Sequence, residues 1–294
     1  MHSLGITLLL FNLFFFTSSF SNFNIKNKEI LAQKPKFESK KLIESFRKKG
    51  RITNGFIANN GSNFLPFFTL LYVRKVTNIY NMCAGSIISE KFLISAGHCF
   101  ESSAEVFILA GFNNSNLESY TFFDQVASKN VIVHPSYNST TISNDIALIK
   151  FSQNIIFNLV LQKIKLPLTN SNFMNKSGIV SGFGIFSDVN ATTSNVLRYT
   201  FVTVINGSTC NLSYGSNFFS NDRQLCIDTK SGHSSTCSGD SGASLGIFEN
   251  NILTLAGIVS YGSTQGCELG NPEVYTKVSS YLQWIGNKTG IVVL

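Results

Sequence analysis

Cys237-Ser238-Gly239-Asp240-Ser241-Gly242-Ala243 sets one serine between an acid and a glycine. Two earlier stretches go with it, Ser95-Ala96-Gly97-His98-Cys99 and Asn144-Asp145-Ile146-Ala147-Leu148. A serine hydroxyl is a poor nucleophile at neutral pH and needs a base to take its proton during attack. The base in turn needs an acid that fixes its tautomer and stabilises the imidazolium. Each stretch alone is weak, since Gly-Asp-Ser-Gly is also an ordinary turn. In the order His, Asp, Ser, the three together are specific.

Around these stretches the chain reads as short strands separated by turns. The first series is 66–76, 83–89, 91–96, 106–110, 130–134 and 146–151. The second follows Pro167, at 178–183, 197–205, 224–227, 243–248, 252–261 and 273–278. Regular short runs of Phe, Ile, Val and Leu suggest barrels or sandwiches rather than parallel α/β units. Only the end, 279–289, has a helical pattern, with Tyr281, Leu282, Trp284 and Ile285 able to share one apolar face. Residues 52–294 suffice for two cores of ordinary domain size, and no internal repeat or accessory module is evident.

On its three stretches the chain resembles the chymotrypsin/trypsin family of serine endopeptidases, from Arg51-Ile52-Thr53-Asn54-Gly55 to the region of Trp284. The resemblance implies an all-β fold of two antiparallel six-stranded β-barrels with a C-terminal helix. Barrel one would span about 52–165, barrel two about 166–278 and the helix about 279–289, with the site in the cleft between barrels. It further implies Ser241 as nucleophile, His98 as base, Asp145 as its partner, and the N–H groups of Gly239 and Ser241 as the oxyanion hole. Ser260 matches a position that supports the aspartate, with an ordinary strand hydroxyl as the plain alternative. Gly262 matches one whose backbone pairs with the substrate. The six cysteines, 83, 99, 210, 226, 237 and 267, are an even set suited to an oxidising compartment, and fifteen pairings are open from the residues alone. The resemblance selects 83–99, 210–226 and 237–267. Without Cys-x-x-Cys, and with His134 and His233 unsuitably spaced, zinc is disfavoured, and neither a metal nor a cofactor is expected. The stretch 111–125 has Glu118 and Asp124 but no compact calcium pattern.

The first fifty residues read differently. Residues 1–21 have the character of a signal peptide: an apolar run at 4–16, shorter than the ~20 residues that cross a bilayer, then small residues at Ser19 and Ser21. No Lys or Arg precedes that run, and an uncleaved anchor is the alternative. Segment 22–51 contains ten Lys/Arg and three Glu, the whole of the net +7, while 52–294 has 13 of each sign. The basic character therefore belongs to a detachable segment, which removes the nucleic-acid reading. That segment ends in Lys48-Lys49-Gly50-Arg51. In the family, a cut here frees an ammonium group on Ile52 that pairs with the acid before the nucleophile, Asp240. A secreted zymogen is expected, with 22–51 as activation propeptide, 52–294 as protease domain and a trypsin-like protease as activator. With no cysteine, the propeptide should detach.

Specificity departs from the trypsin pattern. Trypsin-like members have Asp six residues before the nucleophile; here Ser235 stands there, next to Thr236. A neutral floor, with Gly262 leaving the mouth open, favours an aromatic residue or leucine before the scissile bond. Glu273, in Pro272-Glu273-Val274-Tyr275, stands where many relatives have a small residue. If it faces the pocket as a carboxylate it can also accept Lys or Arg; if it points to solvent or is neutralised by a neighbour it does not. Other departures are Gly97 before the histidine, Ala243-Ser244-Leu245 after the nucleophile turn, and Gly182-Phe183-Gly184 and Tyr261 where tryptophan is common. Eight Asn-x-Ser/Thr sequons occur, at 60, 113, 138, 175, 190, 206, 211 and 287. The expected partners are protein or peptide substrates, the activator and protein inhibitors, with no nucleic acid, no membrane after signal removal, and a monomeric state. A non-catalytic binding homologue is the competing class. It would ordinarily lack part of the triad or the activation site, and this chain lacks neither.

Overall fold

In the computed structural model of the protein, the described residues are 55–58, 65–112, 116–169, 171–189, 191–229 and 235–293. The expected signal peptide and propeptide, with Arg51 and Ile52, lie outside them.

Strand β1 (Phe56–Ile57) is followed by β2 (Phe68–Lys75), β3 (Tyr80–Ile87), β4 (Phe92–Ser95), β5 (Ser103–Ala110), β6 (Phe122–Ala127), β7 (Val131–Val133) and β8 (Ala147–Lys150). Strands β2 to β8 form one antiparallel sheet, ordered β6-β5-β2-β3-β4-β8-β7. It curls into a half-barrel whose edge strands, β6 and β7, are not hydrogen-bonded to each other among the described residues. The second half of the chain adds β9 (Ser177–Gly182), β10 (Arg198–Ile205), β11 (Gln224–Asp228), β12 (Ser244–Glu249), β13 (Ile252–Tyr261) and β14 (Glu273–Lys277). Their order is β9-β12-β13-β14-β11-β10, and β9 also pairs with β10, so this barrel is closed with six strands. The amino-terminal β1 attaches to β10 through Arg198↔Ile57 and Tyr199↔Phe56. A 3₁₀ turn (Val278–Tyr281) and helix α2 (Leu282–Thr289) end the fold, burying Tyr281, Leu282 and Ile285 as the apolar pattern requires.

Besides the two-residue β1, two elements depart from the sequence reading. Helix α1 (Gly207–Tyr214) is a second helix where only the terminal one was expected. Its residues carry no amphipathic pattern; Asn206 caps it by accepting from Ser208 N at 3.0 Å, and Cys210 ties it to Cys226 on β11. A side-chain cap typically contributes ~1 kcal/mol. Strand β6 was not expected because an acid occupies one of its inward positions. Asp124 is buried and accepts from Ser152 N at 2.8 Å and from the Ser152 hydroxyl, so its charge is met without breaking the sheet.

Phenylalanine fastens the halves together. Phe68 on β2, Phe112 after β5 and Phe183 after β9 are fully buried, with ring centroids 6.1, 5.8 and 5.2 Å apart in the three pairs. Aromatic contacts at these distances add to the area they remove from water. The disulfides join Cys83–Cys99, Cys210–Cys226 and Cys237–Cys267, the three pairs that the family resemblance selects.

Candidate active site

Strand register brings the first two groups together. In the β4–β8 ladder Ser95 lies opposite Ala147, so the end of one strand meets the start of the other. The chain leaving β4 turns at once into a 3₁₀ helix (Gly97–Phe100) carrying His98, and Asp145 stands just before β8. Asp145 Oδ2 lies 2.8 Å from His98 Nδ1, while Oδ1 accepts from the His98 backbone N–H at 2.8 Å. The aspartate is buried and further held by Ser260 Oγ, which donates to Oδ2 at 2.6 Å. Thr276 Oγ1 donates to its carbonyl at 2.7 Å. Asn144, at φ 54°, orients the backbone from the other side, with Arg223 and Tyr281 donating to its Oδ1, each at 3.2 Å. Burial alone would lower the pKa of His98, but the charge and hydrogen bond of Asp145, aided by Glu101, outweigh it and raise the pKa above the ordinary imidazole value. The Lys75 ammonium opposes that rise. It donates to the carbonyls of Cys99 at 2.8 Å and Glu101 at 2.7 Å, closing off the far end of the histidine turn.

Ser241 arrives from the other barrel, just before β12. Its carbonyl accepts from Ala84 N on β3 at 2.7 Å, which pins the turn carrying Ser241 to the half-barrel. Cys99 Sγ lies 3.8 Å from that carbonyl and 3.9 Å from His98 Nε2, so one sulfur touches both the serine and the imidazole. Among the described residues the His98 side chain is hydrogen-bonded through Nδ1 to Asp145, and the Ser241 hydroxyl is not engaged with it. Gly239 has φ +101°, a conformation that residues with a side chain rarely adopt, and a Cβ there would sit 3.0 Å from the Gly184 backbone, so the turn favours glycine. Asp240 is fully buried against Gly182 and Gly184, where a Cβ would come within 1.9 and 2.6 Å of its carboxyl oxygens. Its acceptors are met by Gly184 N at 2.8 Å and Cys237 N at 3.1 Å. Burial outweighs these bonds and pushes its pKa up to about 7.

Beside Ser241 opens a cavity of about 250 Å³, lined in part by Thr236, Ser260, Gly262 and Glu273. Glu273 faces this space rather than solvent: it is only 5% exposed, and its Oε2 accepts from Thr236 Oγ1 at 2.9 Å and Tyr275 OH at 2.8 Å. Burial lifts its pKa to about 8 despite both hydroxyls. Ser235 is outside the cavity lining; it is buried and donates to the Cys267 carbonyl. The structure thus gathers His98, Asp145, Ser260 and Ser241 at one seam, and Thr236, Gly262 and Glu273 around one cavity. Lys75, Thr276 and Tyr275 were missed by sequence reasoning. Lys75 and Thr276 meet their partners only through pairings 24 to 131 residues apart, and Tyr275 is an unmarked strand residue.

The family model described as trypsin matches residues 52–285. Serine protease 1 of Drosophila melanogaster is 34% identical over 246 residues, covering 83% of this chain and 87% of the relative. Brachyurin of Leptuca pugilator is 34% identical over 209 residues, covering 71% and 88% respectively. Collagenase of Hypoderma lineatum is 32% identical over 248 residues, covering 83% and 90%. Among solved structures, HL collagenase superposes with a TM-score of 0.72 at 30% identity, over 81% of this chain and 99% of that one.

Proposed function

The chain belongs to the trypsin family and is a serine endopeptidase; from that premise we propose that it is secreted as a zymogen, activated by cleavage after Arg51, and cuts through His98, Asp145 and Ser241. The observation that carries this is the chain of hydrogen bonds Ser260–Asp145–His98 set beside Ser241. His98 Nε2 takes the Ser241 proton as Oγ attacks the peptide carbonyl, then returns it to the departing amine. Asp145 holds the ring and stabilises its cation; Ser260 and Thr276 hold Asp145. The N–H groups of Gly239 and Ser241 receive the oxyanion, each such donor being worth ~10²–10³ in rate.

Asp240 supports the activation reading. Among the described residues the fully buried Asp240 carboxyl is met by two backbone N–H groups, burial pushes its pKa up to about 7, and a new ammonium on Ile52 would give it a charge partner. Tightening the turn at 237–241 by that pairing would bring Ser241 into register with His98.

The cavity is the primary specificity pocket. Its Thr236, Gly262 and Glu273 lining supports cleavage after large apolar residues when Glu273 is neutral, and after Lys or Arg when it is charged. Ser235 shapes the pocket through Cys267 instead of touching the substrate side chain. A general protein-degrading role is supported by a collagenase among the relatives. Among the described residues no helix is long and apolar enough to cross a membrane. Asn138, Asn175, Asn206 and Asn287 are exposed sequons suited to glycans.

The test is labelling by a serine-directed phosphonate. The cut protein, reading Ile-Thr-Asn-Gly at its amino terminus, should take one label at Ser241; the uncut chain and Ser241→Ala should take little. A label elsewhere, or equal labelling of the uncut chain, would sink the proposal.

A further inference from the structure

We propose that Asp188 is a positioning residue of the primary pocket, holding its wall through the backbone N–H groups of Cys267 and Glu268. The inference rests on the reading of that cavity as the pocket for the residue before the scissile bond.

The wall needs such a support. Strand β13 ends at Tyr261 and β14 begins only at Glu273, so the lining residues Thr264, Gly266 and Cys267 lie in a loop without a sheet ladder. Backbone N–H groups in such a loop must find other acceptors. Asp188 supplies them: Oδ1 accepts from Cys267 N at 3.0 Å and Oδ2 from Glu268 N at 2.9 Å. Glu268 reciprocates, its Oε2 accepting from Asp188 N at 2.9 Å. Two adjacent N–H groups converging on one carboxylate form a charge-assisted, bidentate grip. Gly266 makes room for it, since a Cβ there would sit 2.7 Å from Asp188 Oδ2.

Asp188 also links two parts of the site. The segment that carries it begins against the nucleophile turn, with Gly184 N donating to Asp240 Oδ1 at 2.8 Å and Ile185 N to the Ser238 carbonyl at 2.9 Å. Its far end grips Cys267, which is bonded to Cys237 at the start of that same turn. A rearrangement around Asp240 therefore reaches the pocket wall both through the disulfide and through Asp188. Because Asp188 is exposed, its grip is screened and its effect should fall on substrate fit rather than on folding.

The experiment compares two peptides that differ only before the scissile bond, one with Phe or Lys there and one with Ala. Activated enzyme is used, its active sites counted by phosphonate titration so that misfolded molecules do not contribute. Asp188→Ala should raise KM for the large side chain about 5–10-fold, with kcat within about 2-fold, and should affect the Ala peptide far less. Asp188→Asn, which keeps one carbonyl oxygen, should fall between. Equal losses on both peptides, or no loss on either, would overturn the proposal. Gly262→Val, at the pocket mouth, tests the underlying reading separately. If it leaves discrimination between the peptides intact, the pocket reading itself falls. If it removes discrimination and Asp188→Ala does not, only the role of Asp188 falls.

Discussion

Replacing Glu273 with Gln alters the charge of the pocket while nearly preserving its shape. The Glu273 carboxyl is buried, receives two hydroxyl donors on Oε2, and has its pKa lifted to about 8, chiefly by burial. About one molecule in ten then carries the charge at pH 7 and about nine in ten at pH 9. A Lys or Arg side chain needs the carboxylate, whereas an apolar one does not. The ratio of kcat/KM for a Lys peptide over a Leu peptide should therefore rise about tenfold from pH 7 to pH 9 and then level. The direction follows from a raised pKa, since the proton stays bound until pH passes the folded value. The titration of His98 is common to both peptides and cancels in the ratio. Gln retains a carbonyl oxygen for Thr236 and Tyr275 but cannot ionise, so its ratio should be low and flat. The same shift acts on stability. With the folded pKa near 8 and the unfolded one near 4.5, the stabilisation is fully present below the unfolded value and is lost as pH rises through the folded one. Glu273→Gln should therefore unfold at a higher temperature than the parent at pH 9. The assay is steady-state kinetics on paired peptides from about pH 6 to 9.5. A ratio that climbs as steeply in the Gln variant, or a parent that never cuts after Lys or Arg, refutes the reasoning.

Two further variants give three expected outcomes. Lys75→Met removes an ammonium that holds the His98 pKa down, so the acidic limb of kcat/KM should move to higher pH; a limb that stays put or moves lower contradicts this. The same variant loses two donors to the carbonyls of Cys99 and Glu101 and should cost on the order of 1–2 kcal/mol in a denaturant titration. Replacing Cys237 and Cys267 with Ser opens a loop whose ends are 30 residues apart, worth about 3–4 kcal/mol in the chain-entropy model. At ~2–4 °C per kcal/mol for a domain of this size, calorimetry should record a fall of about 6–16 °C, and a fall under ~2 °C would remove the disulfide from the stabilising set.

Sequence by itself determined the parts governed by local chemistry. The alternation of short apolar runs and turns gave most of the strands, and the three motifs carried the family and the candidate nucleophile, base and acid. The stretch 207–214 was illegible as a helix because an Asn cap and a disulfide, rather than an apolar stripe, hold it. Asp124 concealed β6 because its burial depends on Ser152, on a different segment. Only the tertiary structure decided which way Glu273 points, that the Ser235 hydroxyl donates to the Cys267 carbonyl, and that Lys75, Thr276 and Asp188 brace the site. These are pairings across 24 to 131 residues. Strand register and barrel closure create them, so no local pattern of residue types can announce them.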